Sequence, residues 1–544
     1  LCYNIFGCIL FQYFRSFDIV FVVPVKDFCH MRVVFTALER RYGIELAQPL
    51  RVESTIVAVR ARRDEGGRIE NQYPASYRPA DNFEGHFEFG LKYEEIHLEF
   101  LARLFAAIGP EPVETWCRRE PFGQYARRAG FLYEWLMGQR LDVPDLTNGR
   151  YVDAISSQDY LTRVEPLRER RWRINNNLPG TAAFCPLVRR TAAVQDILRF
   201  DPAAALAELD RTFGADVLMR TARWLTFKES RASFLIEKEA DQADRIQRFA
   251  HVIAQYCGHI EDPLGNDSLY VLQAGILGGD AMGLGLRRSP VFVGQATMRE
   301  DIVHYIAPHF EDVVRMLDGL KAFEAATRGA ESVARAAVLA FAFVYIHPMR
   351  DGNGRIHRFL INDTLVRDKV VLYVVILPVS ATITSSIDFR AGYDRTLEVF
   401  SRPFMRRYAT AYRFGEMVTC EDGTRSNFFF DDYEDARFAW RYPDLTEHVL
   451  YTARVIEHTI RHEIADEARV LATFQLAQER LKEVVEMPSQ DANRVIRSIK
   501  ENGWRVSGKL QAEYPRLENE FTARRVVEAV QSAFEDREVA PIVR

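Results

Sequence analysis

The 544-residue chain lacks several features that would place it in a class at once. It has no Cys-x-x-Cys pair, and its seven cysteines are scattered and odd in number, which argues against a disulfide framework or a zinc site and fits a reducing cytoplasm. Neither charge dominates, because 71 Lys and Arg residues are balanced by 76 Asp and Glu residues. This balance argues against a surface coated with basic residues for nucleic acid. No repeat or low-complexity block is present.

The chain also lacks an apolar run of the roughly 18–20 residues that a membrane-spanning helix needs. The nearest candidates lie in residues 1–30, where Arg15 and Asp18 interrupt the apolar sequence. This segment has neither the basic start nor the small-residue cleavage site of a secretory signal. We interpret it as an extension before a start at Met31, with a short membrane-touching tail as the weaker alternative. The sequence thus predicts a cytoplasmic protein that does not contact membranes.

Twelve consecutive residues, HPMRDGNGRIHR at positions 347–358, combine groups that suit chemistry on a polyphosphate. Pro348 disfavours a helical conformation at His347, so a helix arriving from upstream should end there. Gly352 and Gly354 allow a tight turn whose backbone amides a phosphate can approach closely. The stretch therefore predicts a phosphate-binding turn beside a proton acceptor.

Two arginines extend this pattern into the next helix. Arg355 and Arg358 are three residues apart on one side of a helix that begins at the turn, and the N-terminus of a helix favours an anion. Each part alone has an ordinary explanation, because Asp351 could merely cap the turn and arginines at this spacing often form a solvated face. The combination favours a polyphosphate site.

This stretch resembles the signature of the Fic family, H-P-F-x-D/E-G-N-G-R-x-x-R, and departs from it only at Met349, where the family has Phe. The resemblance implies a mainly α protein in which a Fic helical core carries a short β-hairpin flap. It further implies a protein adenylyltransferase, which transfers AMP from ATP to a Ser, Thr or Tyr hydroxyl of a protein target. Self-modification and a homodimer are compatible with it.

The resemblance also implies a role for each matching residue. His347 would take the proton of the target hydroxyl, and Asp351 would bind Mg²⁺, the expected cofactor. The phosphates of ATP, the expected substrate, would be held by five residues: Gly352, Asn353, Gly354, Arg355 and Arg358. Of these, Arg358 would receive the γ-phosphate.

An upstream segment, KESRASFLIEKEA at positions 228–240, predicts a helix with Ser233 and Glu237 on one face. It resembles the inhibitory motif of Fic proteins, S/T-x-x-x-E-G/N, with Lys238 as the departure. The resemblance implies that Glu237 pairs with Arg358 and competes with the γ-phosphate, as in members whose inhibitory helix precedes the Fic motif. The segment GGRIEN at positions 66–71 is a second-ranked candidate for this brake.

The segment RRSPVFVG at positions 287–294 predicts a short strand or hairpin. It resembles the flap with which Fic proteins pair an extended target segment, so Val291, Phe292 and Val293 are the expected docking residues. Main-chain pairing of this kind can position a hydroxyl while selecting little sequence.

We predict four regions in the chain: an extension over 1–30, a mixed α/β N-terminal region over 31–224, the Fic domain with its inhibitory helix over 225–403, and a helical C-terminal domain over 404–544. Within them, residues 51–60 predict a strand, 65–85 a loop, and 93–107 and 331–346 helices. The C-terminal region resembles the helical extension of long bacterial Fic proteins. A small helix-turn-helix could lie there, but DNA binding is the weaker interpretation.

Three alternatives to AMP transfer stay open on the sequence alone. The same fold could transfer UMP, phosphate or phosphocholine, although the complete Gly-Asn-Gly-Arg run favours AMP. The protein could instead remove AMP from a modified protein, with Glu237 positioning the water. It could also be a non-catalytic regulator or scaffold whose terminal regions bind DNA or a partner.

Overall fold

The computed structural model describes residues 31–237, 243–279, 281, 283–296, 301–371 and 375–538. The predicted extension over 1–30 and the departure at Lys238 lie outside these residues. The described fold is mainly α-helical with small sheets, as predicted. None of the described helices is both long and apolar enough to cross a bilayer.

The N-terminal region mixes short strands with helices. In chain order its elements are β1 (Met31–Val33), α1 (Phe35–Arg41), β2 (Val52–Ile56), β3 (Ala61–Glu65), β4 (Arg68–Tyr73), α2 (Phe83–Tyr93), α3 (Leu98–Ile108), α4 (Glu111–Arg119), α5 (Gln124–Met137), β5 (Val152–Asp153), β6 (Leu167–Glu169) and β7 (Ile174–Asn176). Strands β1 to β4 form one sheet in the order β1-β2-β4-β3, and β5, β7 and β6 form a second.

The prediction of a loop over residues 65–85 was wrong, because β4 and most of α2's first turn lie in it. Gly66 and Gly67 form a two-residue turn with φ of 60° and 82°, which glycine adopts at little cost, so β3 and β4 pair as a hairpin. Strand β3 is polar and largely exposed, and only Ile69 and Tyr73 of β4 are buried, so no regular apolar alternation marks the two strands. The second-ranked inhibitory candidate, 66–71, is therefore hairpin and not helix.

The central region contains the long helices. Its elements are α6 (Ala192–Ile197), α7 (Pro202–Phe213), α8 (Ala215–Ile236), α9 (Ala243–Tyr256), α10 (Asn266–Leu277), β8 (Phe292–Ala296), β9 (Asp301–Ile306), α11 (Phe310–Ala326), α12 (Ser332–Ile346), α13 (Asn353–Arg367), α14 (Val379–Ser385) and α15 (Ile387–Arg407). Helix α12 is buried along almost its whole length and packs against α13. The predicted helix over 331–346 is confirmed.

The C-terminal region is helical except for one hairpin. Its elements are β10 (Tyr412–Thr419), β11 (Arg425–Phe430), α16 (Tyr433–Arg441), α17 (Thr446–His458), α18 (Ala465–Val484), α19 (Ser489–Glu501), α20 (Gly508–Glu513) and α21 (Glu520–Glu538). The sequence did not predict the β10–β11 hairpin, since nearly every residue of β10 is exposed and the strand lacks a buried face.

Three large apolar cores organise the described chain. The largest surrounds α12 and runs from Ala47 to Ala465, the second lies in the N-terminal region between Val33 and Leu187, and a third joins α18, α19 and α21. The largest core contains residues on both sides of residue 404, so it does not mark the predicted limit between the Fic domain and the C-terminal domain. The predicted domain limits stay predictions. The main consequence of this core for the site is that α12 and α13, which flank the 347–352 loop, are packed in place by the core.

Candidate active site

Helix α12 ends at His347, whose backbone is left-handed with φ 49° and ψ 57°. Pro348 follows it, as expected for a helix end. The His347 amide donates to the Phe343 carbonyl at 2.9 Å, and the ring Nδ1 lies 3.2 Å from the Val344 carbonyl oxygen. Because a carbonyl can only accept, Nδ1 carries the hydrogen, and Nε2 is left with its lone pair. The imidazole is thus oriented as a base.

The His347 ring is neutral at physiological pH. Burial lowers the pKa of His347 to about 4, and the positive charge of Arg287 acts in the same direction. A general base must be unprotonated before it can accept a proton. The site therefore holds the histidine in the form that such a role requires.

The loop after His347 is fixed from within by Asn353. Its side-chain Oδ1 accepts from the Met349 amide at 3.1 Å and its Nδ2 donates to the Met349 carbonyl at 2.7 Å. Met349 itself is fully buried, so its flexible side chain packs into the apolar core beneath the loop. Because the Asn353 side chain is bonded to its own loop, we expect the phosphate contact of this residue to come chiefly from its backbone amide.

Helix α13 begins at this loop and presents its first backbone amides to the site. Gly352 precedes it with φ 91°, and its amide donates to the Asp351 carboxylate at 2.5 Å. In the described chain, no acceptor is bonded to the amides of Asn353 and Gly354 in the helix's first turn. Such amides, with the helix dipole, bind phosphate or carboxylate. We call the space in front of these two amides the anion seat.

Asp351 lies at the rim of the anion seat, with about half of its side chain exposed (51%). Its Oδ1 accepts from Gly352 and from Arg355 Nη2, the latter at 2.6 Å, while Oδ2 has no hydrogen bond to any described residue. Arg355 is buried against the Phe234 ring, 5.1 Å from its centroid. An exposed carboxylate oxygen fits Mg²⁺, which commonly binds one protein carboxylate and completes its shell with phosphate and water. No cluster of three His, Cys, Asp or Glu side chains suited to a metal occurs in the described residues.

Arg358 contacts both predicted inhibitory residues. Its Nε donates to Ser233 Oγ at 2.7 Å, and its Nη2 donates to Glu237 Oε1 at 2.7 Å. Burial alone would lower the pKa of Arg358, but the Glu237 carboxylate outweighs burial and the pKa is raised. Burial would likewise raise the pKa of Glu237, but Arg358 holds it below its ordinary value. Both groups are charged, and the pair is a salt bridge inside the site.

The Glu237 carboxylate also lies against the first turn of α13, beside the anion seat. A Cβ added at Gly354 would collide with Glu237 Oε1, so only glycine leaves room for this approach. The remaining nitrogen of Arg358, Nη1, is buried without a hydrogen-bond partner among the described residues. The Glu237 carboxylate at the end of α8 therefore lies where the loop and Arg358 could bind an anion.

Glu229 anchors α8 in this position, a contact that sequence reasoning missed. It lies on the same helical face as Ser233 and Glu237, one and two turns earlier. Its buried carboxylate accepts from the Ser380 amide at 2.7 Å and from Ser380 Oγ at 2.6 Å, at the start of α14. Burial raises the pKa of Glu229 to about 7. Spacing on α8 could have drawn attention to Glu229, but nothing in the sequence identifies Ser380 as its partner.

The predicted flap is an antiparallel hairpin of β8 and β9. The Val291 carbonyl accepts from the Ala307 amide at 3.0 Å and closes the base of the hairpin. Phe292 packs towards the unexpected β10–β11 hairpin, with its ring centroid 4.7 Å from that of Phe428. Val293 is exposed (42%). Of the three expected docking residues, Val293 is thus the one whose side chain is most available to a partner.

Two further contacts that sequence reasoning missed brace the loop. Gln273 on α10 is fully buried, and its Nε2 donates to the Asp351 carbonyl at 2.8 Å while its Oε1 accepts from Gly285 at 2.6 Å. At the tip of the β10–β11 hairpin, Thr424 accepts from Arg350 at 3.1 Å. The loop is therefore held from α10 and from the C-terminal region as well as from within.

Comparison with known proteins agrees with this geometry. Residues 276–365 match the model of the Fic/DOC family. This chain contains a Fic domain. The matched range includes the flap and the 347–358 loop but ends before α14.

Two curated relatives are similar over stretches longer than the 276–365 match. Protein adenylyltransferase fic-1 of Caenorhabditis briggsae is 32% identical over 130 residues, which are 23% of this chain and 22% of the relative. Its counterpart in Caenorhabditis elegans is 30% identical over 154 residues, 27% of each chain. The chain thus spans about a quarter of the length of each of these relatives. A solved Fic family protein from Desulfovibrio desulfuricans G20 is 16% identical with a TM-score of 0.37, over 61% of this chain and 96% of its own.

Proposed function

We propose that the protein transfers AMP from ATP to a hydroxyl side chain of a protein target and that Glu237 restrains this transfer. One observation carries the proposal: a carboxylate at the end of α8 lies beside the anion seat and pairs with Arg358 at 2.7 Å, near a histidine oriented as a neutral base. The names of the two Caenorhabditis relatives support the choice of AMP.

The chemistry that the residues would perform is an in-line displacement. The target hydroxyl oxygen forms a bond to the α-phosphorus of ATP, and the bond from that phosphorus to the bridging oxygen of the β-phosphate breaks. The hydroxyl proton passes to Nε2 of His347, and pyrophosphate leaves with the bonding electrons. Such transfers depend chiefly on alignment and on stabilising the phosphate charge, which the amides of Asn353 and Gly354 can supply.

Arg355 and Arg358 would bind the β- and γ-phosphates of the same nucleotide. Mg²⁺, held by Asp351, would neutralise part of the phosphate charge when bound. The hairpin of β8 and β9 would align an extended target segment by main-chain pairing. A binding nucleotide also adds negative charge beside His347, which raises its pKa from the low value of the nucleotide-free site and strengthens it as a base.

Restraint by Glu237 would follow from competition for Arg358 and for the anion seat. A triphosphate whose γ-phosphate cannot reach Arg358 is displaced along the site, and its α-phosphorus then lies out of line with the hydroxyl. Nucleotide binding can persist in such a state, but transfer is slow. The proposal therefore predicts weak activity in the wild type and a gain when the carboxylate is removed.

The test compares ATP labelled on the α-phosphate with ATP labelled on the γ-phosphate. Wild type, Glu237→Gly, His347→Ala and the double variant that combines Glu237→Gly with His347→Ala are incubated with each and with Mg²⁺, and label on protein is measured. We expect α-label alone to be incorporated, weakly in wild type, strongly in Glu237→Gly, and not at all when His347→Ala is combined with Glu237→Gly. Exposed His251 on α9 supplies the matched control, since His251→Ala should label as its parent does.

Each other outcome has a definite meaning. Incorporation of γ-label would replace AMP transfer by phosphate transfer. Equal labelling with and without His347 would remove its catalytic role. If Glu237→Gly instead strips AMP more slowly than wild type from a previously labelled protein, removal of AMP is the better description.

A further inference from the structure

Arg287 is a buried arginine at the junction of the flap and the catalytic loop. It is only 3% exposed and lies in the segment that leads into β8. Its Nε donates to the His347 carbonyl at 2.7 Å, its Nη1 to the Ser289 carbonyl at 3.1 Å, and its Nη2 to the Pro308 carbonyl at 2.6 Å. One guanidinium thus joins the end of α12, the segment before β8 and the segment after β9.

Arg287 also completes the hydrogen bonds at the C-terminal end of α12. A helix leaves its last four carbonyls without partners inside the helix. Here the first two of them accept from the amide and the ring of His347. The third, that of Tyr345, accepts from the hydroxyl of Tyr305 on β9, and the last, that of Ile346, lies 3.5 Å from Arg287 Nη2. His347 and the β8–β9 hairpin are therefore both hydrogen-bonded to the C-terminal end of α12.

The charge of Arg287 has an unusual setting. All its hydrogen bonds to described residues go to carbonyl oxygens and none to a carboxylate. Burial lowers the pKa of Arg287 to about 10, so it remains charged at neutral pH. Burying a charge without a counterion is costly, although the carbonyl end of a helix favours a cation. A neutral side chain could fill the same space, but it could not serve carbonyls of three segments at once.

We propose that Arg287 is the positioning residue that sets the distance between the His347 ring and the β8–β9 hairpin. This inference rests on the proposed function, in which the hairpin aligns the acceptor hydroxyl and His347 takes its proton. Since β8 would dock the target segment, the guanidinium fixes where that hydroxyl lies relative to Nε2. A misplacement of about 1 Å at such a centre costs roughly a hundredfold in rate.

Among the described residues, none of the expected phosphate ligands makes a hydrogen bond with Arg287. The expected phosphate ligands lie at Gly352 and in the first two turns of α13. The hydrogen bonds of Arg287 to described residues go instead to the end of α12, to Pro348 and to the segments that flank the β8–β9 hairpin. Loss of Arg287 should therefore lower the rate of transfer at saturating ATP and leave ATP affinity nearly unchanged. A residue that only stabilised the fold would lower both together.

The experiment places Arg287→Met and Arg287→Lys in the Glu237→Gly background. Labelling at saturating ATP and ATP affinity by calorimetry are measured for each. We expect labelling to fall about tenfold or more in Arg287→Met, with an intermediate value for Arg287→Lys, because lysine lacks the planar fork that reaches three carbonyls. The adjacent Arg288 is exposed and pairs with Glu421, so Arg288→Met is the matched control and should label normally.

A measurement without nucleotide separates this inference from the proposed function. The ¹⁵N resonances of the His347 ring, identified by their loss in His347→Ala, report which ring nitrogen carries the hydrogen. We expect one tautomer, with hydrogen on Nδ1, in the parent and a mixture in Arg287→Met. If no variant transfers AMP, this signature still tests whether Arg287 holds the histidine.

Two results would overturn the inference. One is an Arg287→Met protein with parental labelling and a parental ¹⁵N signature. The other is an equal loss of ATP affinity and labelling, which would make Arg287 a purely structural residue. If Arg287→Met does not fold, Tyr305→Phe and Arg287→Lys take its place. Tyr305→Phe removes the hydrogen bond from the Tyr305 hydroxyl to the Tyr345 carbonyl at the same helix end. The labelling, ATP affinity and ¹⁵N signature of these two variants decide between the same outcomes.

Discussion

Removal of the Glu237 carboxylate should accelerate transfer by an amount that the site geometry sets. The carboxylate accepts one charge-assisted hydrogen bond from Arg358, and such bonds contribute about 1.5–3 kcal/mol. A third of the Glu237 side chain is exposed (33%), so solvent screening favours the lower end, about 1.5–2 kcal/mol. That range corresponds to roughly 10–30-fold in the occupancy of the productive nucleotide position.

Glu237→Gln refines this prediction, because the amide keeps a neutral acceptor for Arg358 but removes the charge. Initial rates of α-label incorporation at subsaturating ATP should rise in the order wild type, Glu237→Gln, Glu237→Gly. Asp216→Asn removes an exposed carboxylate at the other end of α8 and should leave the rate unchanged. A Glu237→Gly rate equal to that of wild type, or the same gain in Asp216→Asn, would refute the competition described above.

Three further changes test other parts of the account. Glu229→Gln should loosen the contact of α8 with Ser380 and raise labelling by less than Glu237→Gly does; labelling below wild type would contradict an anchoring role. Asn353→Ala should lower the free energy of unfolding by about 2 kcal/mol, because it leaves the Met349 amide and carbonyl unpaired. An unchanged midpoint of chemical denaturation would contradict this prediction. Burial lowers the pKa of His357 and of His448 to about 3. Between pH 6.5 and 3 these two rings therefore bind more protons in the unfolded chain than in the folded one. The free energy of unfolding should consequently fall as the pH falls through that range. His448→Gln should make this dependence shallower, and unfolding that does not vary with pH would show that these rings are not held neutral.

The catalytic loop could be predicted from sequence because its parts are contiguous. Proline and glycine act on the backbone within one or two residues, so the end of α12 at His347 and the start of α13 after Gly352 follow from local chemistry. The face shared by Ser233 and Glu237 follows from helical periodicity in the same way. The role of the Asn353 side chain was not predictable, because an amide can bind either a phosphate or its own loop.

The supporting contacts could not be predicted because their partners are far apart in sequence. Glu229 meets Ser380 across 151 residues and Gln273 meets Asp351 across 78, and neither residue type marks its partner. In the sequence, Arg287 is only the first residue of the segment that resembles the flap. Its burial depends on how the end of α12 and the segments before β8 and after β9 come together, which the sequence does not indicate. The β3–β4 and β10–β11 hairpins were missed for another reason, since the first strand of each, β3 and β10, is exposed and lacks the apolar alternation on which strand prediction depends.

The most direct measurement is a crystal structure of Glu237→Gly with Mg²⁺ and a non-hydrolysable ATP analogue. We predict the γ-phosphate within hydrogen-bonding distance of Arg358, phosphate oxygens on the amides of Asn353 and Gly354, and the α-phosphorus facing Nε2 of His347. A nucleotide bound elsewhere, or one whose triphosphate does not contact Arg358, would contradict the claim that Glu237 occupies the place of the substrate.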